Sequence, residues 1–214
     1  MAPVASVAQF FAPMRLPVHC LVLFALCAAP FATAADSGGL PWAVVDKRNA
    51  VLQVFRADGT LAGQTVVLLG ADRGDGSVPG VDERTQAGTL RPGDRTTPAG
   101  RFISQPGVNL AGEALVWVDY DAAFAIHPLR SGASQASRRQ RLSSADPARR
   151  RASAGCVVVP PAFFDSVVRP VLGRGPAVVW VLRENESRNS RRLTASATTG
   201  STGQSEPAQA GAAP

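Results

Sequence analysis

The chain has 214 residues, with 22 Lys and Arg against 16 Asp and Glu for a net charge of +6, and only 18% charged residues overall, a length that holds one domain-sized core once its terminal segments are set aside. Its three cysteines and two histidines exclude a disulfide framework, and because two of those cysteines and one histidine fall in the N-terminal segment, too few ligands remain for a structural zinc site. The basic excess gathers in "RRQRLSSADPARRR", residues 138–151, with no aromatic interleaved, which argues against a nucleic-acid interface.

The first segment has Arg15, then the apolar run "CLVLFALCAA", then the small-residue pattern Ala32-Thr33-Ala34. That order predicts a secretory signal peptide over 1–34, cut after Ala34, with translation starting at Met1 or at Met14. The run is about half the ~20 apolar residues that span a bilayer, so an exported, soluble, periplasmic product without a transmembrane anchor is expected. Leu26 before Cys27 is bulky for a lipoprotein signal. Loss of the leader removes Cys20, Cys27 and His19 and leaves Cys156 and His127 as the mature chain's single thiol and single imidazole.

From 40 to 184 the sequence predicts one domain, mainly β. "WAVVD", "AVLQVF", "QTVVLL", "LVWVDY", "AAFAIH" and "AVVWVL" are short runs, β-branched or aromatic, bounded by Gly, Pro, Asp or Asn. Lys47 to Asn49 marks a hairpin turn and Asp58-Gly59 another. Helical periodicity is sparse: one helix is expected from Pro160-Pro161, with Phe163, Phe164, Val167 and Val168 on one face, kinking or stopping near Arg169 because Pro170 has no amide hydrogen. Trp42, Trp117 and Trp180 fall in strands and are expected in the core. The expected architecture is a β-sandwich or partly closed barrel with one or two short helices. The tail, 185–214, is too poor in large apolar residues to repay ordering and is expected to be disordered.

Two residues carry the chemistry. In "AAFAIHPLR", Phe124 and Ile126 share one strand face while Ala123, Ala125 and His127 share the other, and Pro128 ends the strand, so the imidazole is expected at a rim. In "SAGCVVVPP" a lone Cys156 follows Gly155. An unpaired thiol in an exported chain is an intermolecular staple, a buried space-filler or a reactive group. Cys and His together are the minimum for covalent acyl transfer: the imidazole takes the thiol proton and the sulfur attacks a carbonyl. Gly155 permits a tight bend that aims amides of Cys156, Gly155 or Ala154 at an oxyanion. Ser153 is a candidate for shaping that bend or an ordinary turn hydroxyl. Arg130 and the loop arginines, Arg151 among them, are candidates for substrate carboxylates; alternatively most of the loop is a solvated basic face. Thr97, Pro98 and Gly100 read as turn residues, and Asp119, Tyr120 and Asp121 as a hairpin turn near the cleft.

"TTPAGRF" (96–102), "AIHP" ending a strand and "SAGCVVVP" before a helix, together with "GDGSVPG" and "LVWVDYDAA", resemble the L,D-transpeptidase (YkuD) catalytic domain of small exported proteobacterial proteins over 41–184. The resemblance implies a β-sandwich-like fold, Cys156 as nucleophile, His127 as base and peptidoglycan stem peptides as substrate; no cofactor and, on the ligand count, no metal is expected, and the chain is expected to be a monomer. Departures are Pro128 where the family often has glycine after the histidine, Ala154 in place of a second histidine, and Val158 where many members carry Arg or Asn. The rival expectation is an impaired member that binds the cell wall through its basic loop, or a thiol that dimerises the chain.

Overall fold

The computed structural model describes residues 36–186; the expected leader and nearly all of the expected tail lie outside the described residues. Strand β1 (Trp42–Asp46) turns at residues 47–50 into β2 (Val51–Phe55), with Val44 opposite Gln53, and β2 passes through the Asp58-Gly59 turn into β3 (Leu61–Val66). Side-chain alternation sorts β1 and β2 into two faces. Ala43, Val45, Leu52 and Val54 enter the main core; Trp42, Val44 and Phe55 face a second cluster with Val178, Trp180 and Leu182. There the Trp42 ring stacks on Phe55 at 3.8 Å.

Eight strands pair in the order β3-β2-β1-β10-β5-β6-β7-β9, with β5 (Gly100–Val108), β6 (Ala114–Asp119), β7 (Phe124–Pro128), β9 (Val157–Val159) and β10 (Ala177–Val181). β5 joins the two halves: residues 100–104 pair with β10, and 105–108, beginning just before Pro106-Gly107, pair with β6. The inner faces of both halves meet in one core, where Phe102 of β5 meets Phe124 of β7 edge-on at 5.7 Å. This is the mainly β, sandwich-like arrangement expected from the strand runs. A short parallel pair, β4 (Leu69–Gly70) with β8 (Arg151–Ser153), lies beside it.

The helix from Pro161 buries Phe164 and Val168 in the main core, with Phe163 and Val167 packed against it. It does not stop at Arg169. A π-helical turn over Phe164–Val168 widens the backbone and helix resumes over Arg169–Val171, so the missing Pro170 amide is absorbed in a segment whose carbonyls are already re-registered. Two helices have no counterpart in the sequence expectation, α1 (Val81–Ala87) and α2 (Gln135–Leu142). Each buries a single residue, Val81 or Leu142, too few to leave an apolar period in the sequence. One of the loop arginines is also not solvated: Arg150 is buried, donating to the carbonyls of Ser144 and, at 2.6 Å, Asn49.

Candidate active site

Phe124 and Ile126 are buried in the core, and the opposite face of β7 turns Ala125 and His127 toward an open cleft of about 560 Å³. Pro128 ends the strand and its carbonyl oxygen lies 2.8 Å from His127 Nδ1. A carbonyl only accepts, so Nδ1 carries the hydrogen and Nε2 keeps its lone pair. Proline therefore orients the ring as a glycine carbonyl would.

Strand β9 runs parallel to β7, with Val157 beside Ile126 and Val158 beside His127. Cys156 is the residue just before β9, and by that register it emerges next to Ala125, on the cleft side. Its thiol, half-buried, lies 3.5 Å from the Ala123 carbonyl, and both Cys156 and His127 line the cleft. Ala123 has φ +48, a left-handed backbone that a non-glycine residue adopts at a cost. Trp117, expected in the core, instead forms part of the cleft wall with Tyr120, edge to face at 5.0 Å. Gly107 makes this possible, since a Cβ there would come within 2.5 Å of the Trp117 ring. Asp119 Oδ1 accepts the Ala122 amide at 3.2 Å, the turn duty its sequence suggests.

Burial, then the nearby Arg130 and Arg138 guanidinium groups, lower the His127 pKa from 6.5 to about 4 against the pull of the Pro128 carbonyl. Burial raises the Cys156 thiol, opposed by the Ala125 amide, Arg130 and Arg138. Both groups are therefore neutral near pH 7: a thiol and a free imidazole base lining one cleft, not a thiolate and an imidazolium. We expect an NMR titration of the His127 ring to show a midpoint near pH 4 and no protonation step between pH 5 and 8; a midpoint at 6 to 7 would contradict this electrostatic account.

Arg130 also faces the cleft. Its Nε lies 2.8 Å from Glu113 Oε2 without the alignment of a hydrogen bond, and its Nη2 is buried with no partner among the described residues. Cleft wall α1 is held by Arg84, which grips Asp94 with two bonds of 2.7 and 2.8 Å. That grip and the Arg91 amide hold the Asp94 carboxyl low, at about 2.

Behind Cys156 the backbone is fixed by two hydroxyls. Ser153 Oγ donates to the Cys156 carbonyl at 2.6 Å and accepts the Gly155 amide at 3.2 Å. Thr97 Oγ1 donates to the Gly155 carbonyl at 2.8 Å and accepts the Gly70 amide at 2.9 Å. The Gly155 amide is thus engaged, and of the three amides named above those of Cys156 and Ala154 remain for an oxyanion. Gly155 has φ +133, and a Cβ on it would sit 2.8 Å from the Thr96 carbonyl oxygen, so no other residue fits. Thr97 is in turn tied to buried Lys47, whose Nζ donates to the carbonyls of Thr97 (2.9 Å) and Gly74 (2.7 Å) and to Asp75 Oδ1 (2.6 Å). Neither role was visible in the sequence, where Thr97 and Lys47 look like any turn residues.

Arg151 is not in the cleft. Its Nη2 donates to Glu184 Oε2 at 2.6 Å and to the Lys47 carbonyl at 3.1 Å, and the residue lines a second groove with Arg95, Arg138, Arg141, Ser153 and Ala154. Val158 is buried in an apolar cluster with Leu68, Leu129 and Leu142, so that position contributes packing and no polar group to the cleft. Among the described residues no group of three or more His, Cys, Asp and Glu is arranged to hold a metal ion, and no helix is long and apolar enough to cross a membrane.

No protein-family profile matches the chain, and no curated protein matches it. Among solved structures, the catalytic domain of an L,D-transpeptidase from E. faecium is similar at 19% identity and a TM-score of 0.36, covering 66% of this chain and 96% of that one.

Proposed function

We propose that the chain is an exported cysteine acyltransferase, an L,D-transpeptidase acting on peptidoglycan stem peptides through a thioester on Cys156. The observation that carries this reading is the opening of Cys156 and His127 into one cleft, with His127 held by Pro128 so that Nε2 is the free base. The motif resemblance supplies the substrate class. Nε2 takes the thiol proton as sulfur attacks the carbonyl of the third stem residue. The oxyanion then meets backbone amides of the 153–156 bend, and the imidazolium returns its proton to the departing D-alanine amine. Apolar residues line the cleft around Trp117, and Arg130, ion-paired with Glu113 through Nε, has its Nη2 left to meet a substrate carboxylate. An amine then resolves the thioester into a cross-link, or water resolves it as a carboxypeptidase would.

Incubation with a tetrapeptide stem fragment followed by intact mass measurement is expected to show an adduct equal to the peptide less its last residue, mapping to Cys156. An unchanged mass in the wild-type protein, with the thiol shown to be reduced, would overturn the reading. A cell-wall-binding module without chemistry would instead keep its affinity in Cys156→Ala and lose it on raising salt.

A further inference from the structure

Glu184 ends the expected domain, just past β10, and nothing in its sequence setting marks it out. In the fold its side chain is 17% exposed and its two oxygens serve different neighbours. Oε2 accepts from Arg151 Nη2 at 2.6 Å and lies 3.6 Å from Arg73 Nη1. Oε1 accepts the Gly74 amide at 3.4 Å and lies 3.7 Å from Lys47 Nζ. The Glu184 amide donates to Asp75 Oδ1 at 2.9 Å, the oxygen that also accepts from Lys47 Nζ. Lys47 is fully enclosed and Arg151 nearly so, and among the described residues Glu184 is the one carboxylate within 4 Å of Arg151. Its loss would leave two buried cations in one region, with the half-exposed Asp75 carboxylate beside Lys47 and none beside Arg151.

Each of these cations leads to the nucleophile through hydrogen bonds. Arg151 begins β8, whose last residue, Ser153, holds the Cys156 carbonyl and the Gly155 amide. Lys47 holds the Thr97 carbonyl, and the Thr97 hydroxyl holds the Gly155 carbonyl. The two arms that fix the 153–156 bend therefore meet on one carboxylate. We propose that Glu184 is a positioning residue for acyl transfer: its charge keeps Arg151 and Lys47 in register and so aims the Ala154 and Cys156 amides at the oxyanion. This rests on the acyltransferase reading. Glu184 is not among the residues that line the cleft, and it acts on the reaction only through the bend. Its effect is felt as charge develops on the carbonyl oxygen, when a small misalignment of the donors slows the step.

Glu184→Gln tests the proposal, because it keeps the shape of the side chain but turns a donor nitrogen toward donors on either side. At a temperature where the fold is intact, its acylation by a tetrapeptide stem fragment is expected to fall about tenfold or more in kcat with KM little changed. Glu184→Asp, which keeps the charge, is expected to recover most of that loss, and Glu186→Gln to alter neither constant. A Glu184→Gln protein that acylates at the wild-type kcat overturns the proposal. So does a Glu184→Asp protein no faster than Glu184→Gln, since the charge would then not be what holds the arms. A second measurement needs no substrate: in Glu184→Gln the backbone amide resonances of residues 153–156 are expected to shift, and deuterium exchange at the Gly155 amide to quicken about tenfold. Glu186→Gln is expected to leave both as in the wild type. Unmoved amides in Glu184→Gln overturn the link between Glu184 and the bend whether or not the wild type acylates. If Glu184→Gln does not fold, Glu184→Asp is expected to show smaller shifts of the same amides, and their absence overturns the link. Shifted amides in a protein whose wild type forms no acyl-enzyme overturn the acyltransferase reading and leave the hold of Glu184 on the bend standing.

Discussion

Replacing His127 with alanine is expected to slow acylation of Cys156 by roughly 10²- to 10⁴-fold, the usual contribution of a positioned general base, while Cys156→Ala abolishes the adduct. The reason lies in the resting protonation states. Burial raises the thiol pKa, so little thiolate exists near pH 7 and the sulfur depends on a neighbour to take its proton as it attacks. His127 is the imidazole in the cleft, its Nε2 free because Nδ1 is held by Pro128. The loss should shrink as pH rises, since hydroxide-driven ionisation of Cys156 replaces the missing base. Stopped-flow acylation across pH 5 to 10 reads this directly. A His127→Ala rate within threefold of the wild type at pH 7 would sink the assignment of the base.

The same substitution carries a stability signature with a fixed sign. The unfolded chain protonates the imidazole below 6.5, whereas the folded chain resists until about 4. Protons therefore favour the unfolded state in that window, and stability falls as pH drops from 6.5 toward 4, by about 3 kcal/mol in all. Above pH 6.5 the term is absent. Denaturant midpoints of His127→Ala should accordingly lose less than those of the wild type between pH 7 and 4.

Strands β1, β2, β6, β7 and β10 were legible because each carries β-branched or aromatic residues between turn formers, and the faces of β7 followed from alternation alone: Phe124 and Ile126 inward, His127 outward. Cys156 and His127 were singled out by chemistry, as a thiol and an imidazole within 40–184, and both line the cleft. What stayed hidden was whatever depends on long-range contact. Trp117 looks like a core strand residue until the Gly107 gap beneath it is known. Helix α2 shows no period because only Leu142 faces inward, and the arginines of 138–151 are divided among solvent, a buried brace at Arg150 and a groove by tertiary placement. Arg151 and Arg130, alike in sequence, end in separate cavities.

Lys47 is the clearest case of a hidden role, and Lys47→Met is expected to lower stability by about 3 kcal/mol, a fall in Tm of roughly 6–12 °C. The ammonium is fully enclosed and donates to three acceptors, one of them the buried Thr97 carbonyl. Methionine fills the volume but leaves that carbonyl unpaired in a dry site. Asp75 softens the loss, since it is over a third exposed and keeps the Glu184 amide at 2.9 Å, so the figure sits at the low end for a broken buried pair. The consequence reaches the nucleophile. Lys47 fixes the Thr97 carbonyl while the Thr97 hydroxyl fixes Gly155, so loosening one end lets the 153–156 bend drift, and bends that drift lose oxyanion alignment. Acylation by Lys47→Met at a temperature where the fold is intact should therefore drop in kcat with KM little changed, and Arg48→Met, one residue along and exposed, should alter neither stability nor rate. A Lys47→Met protein that is destabilised yet acylates at the wild-type kcat would show the network to be a brace for the fold alone, with no hold on Cys156.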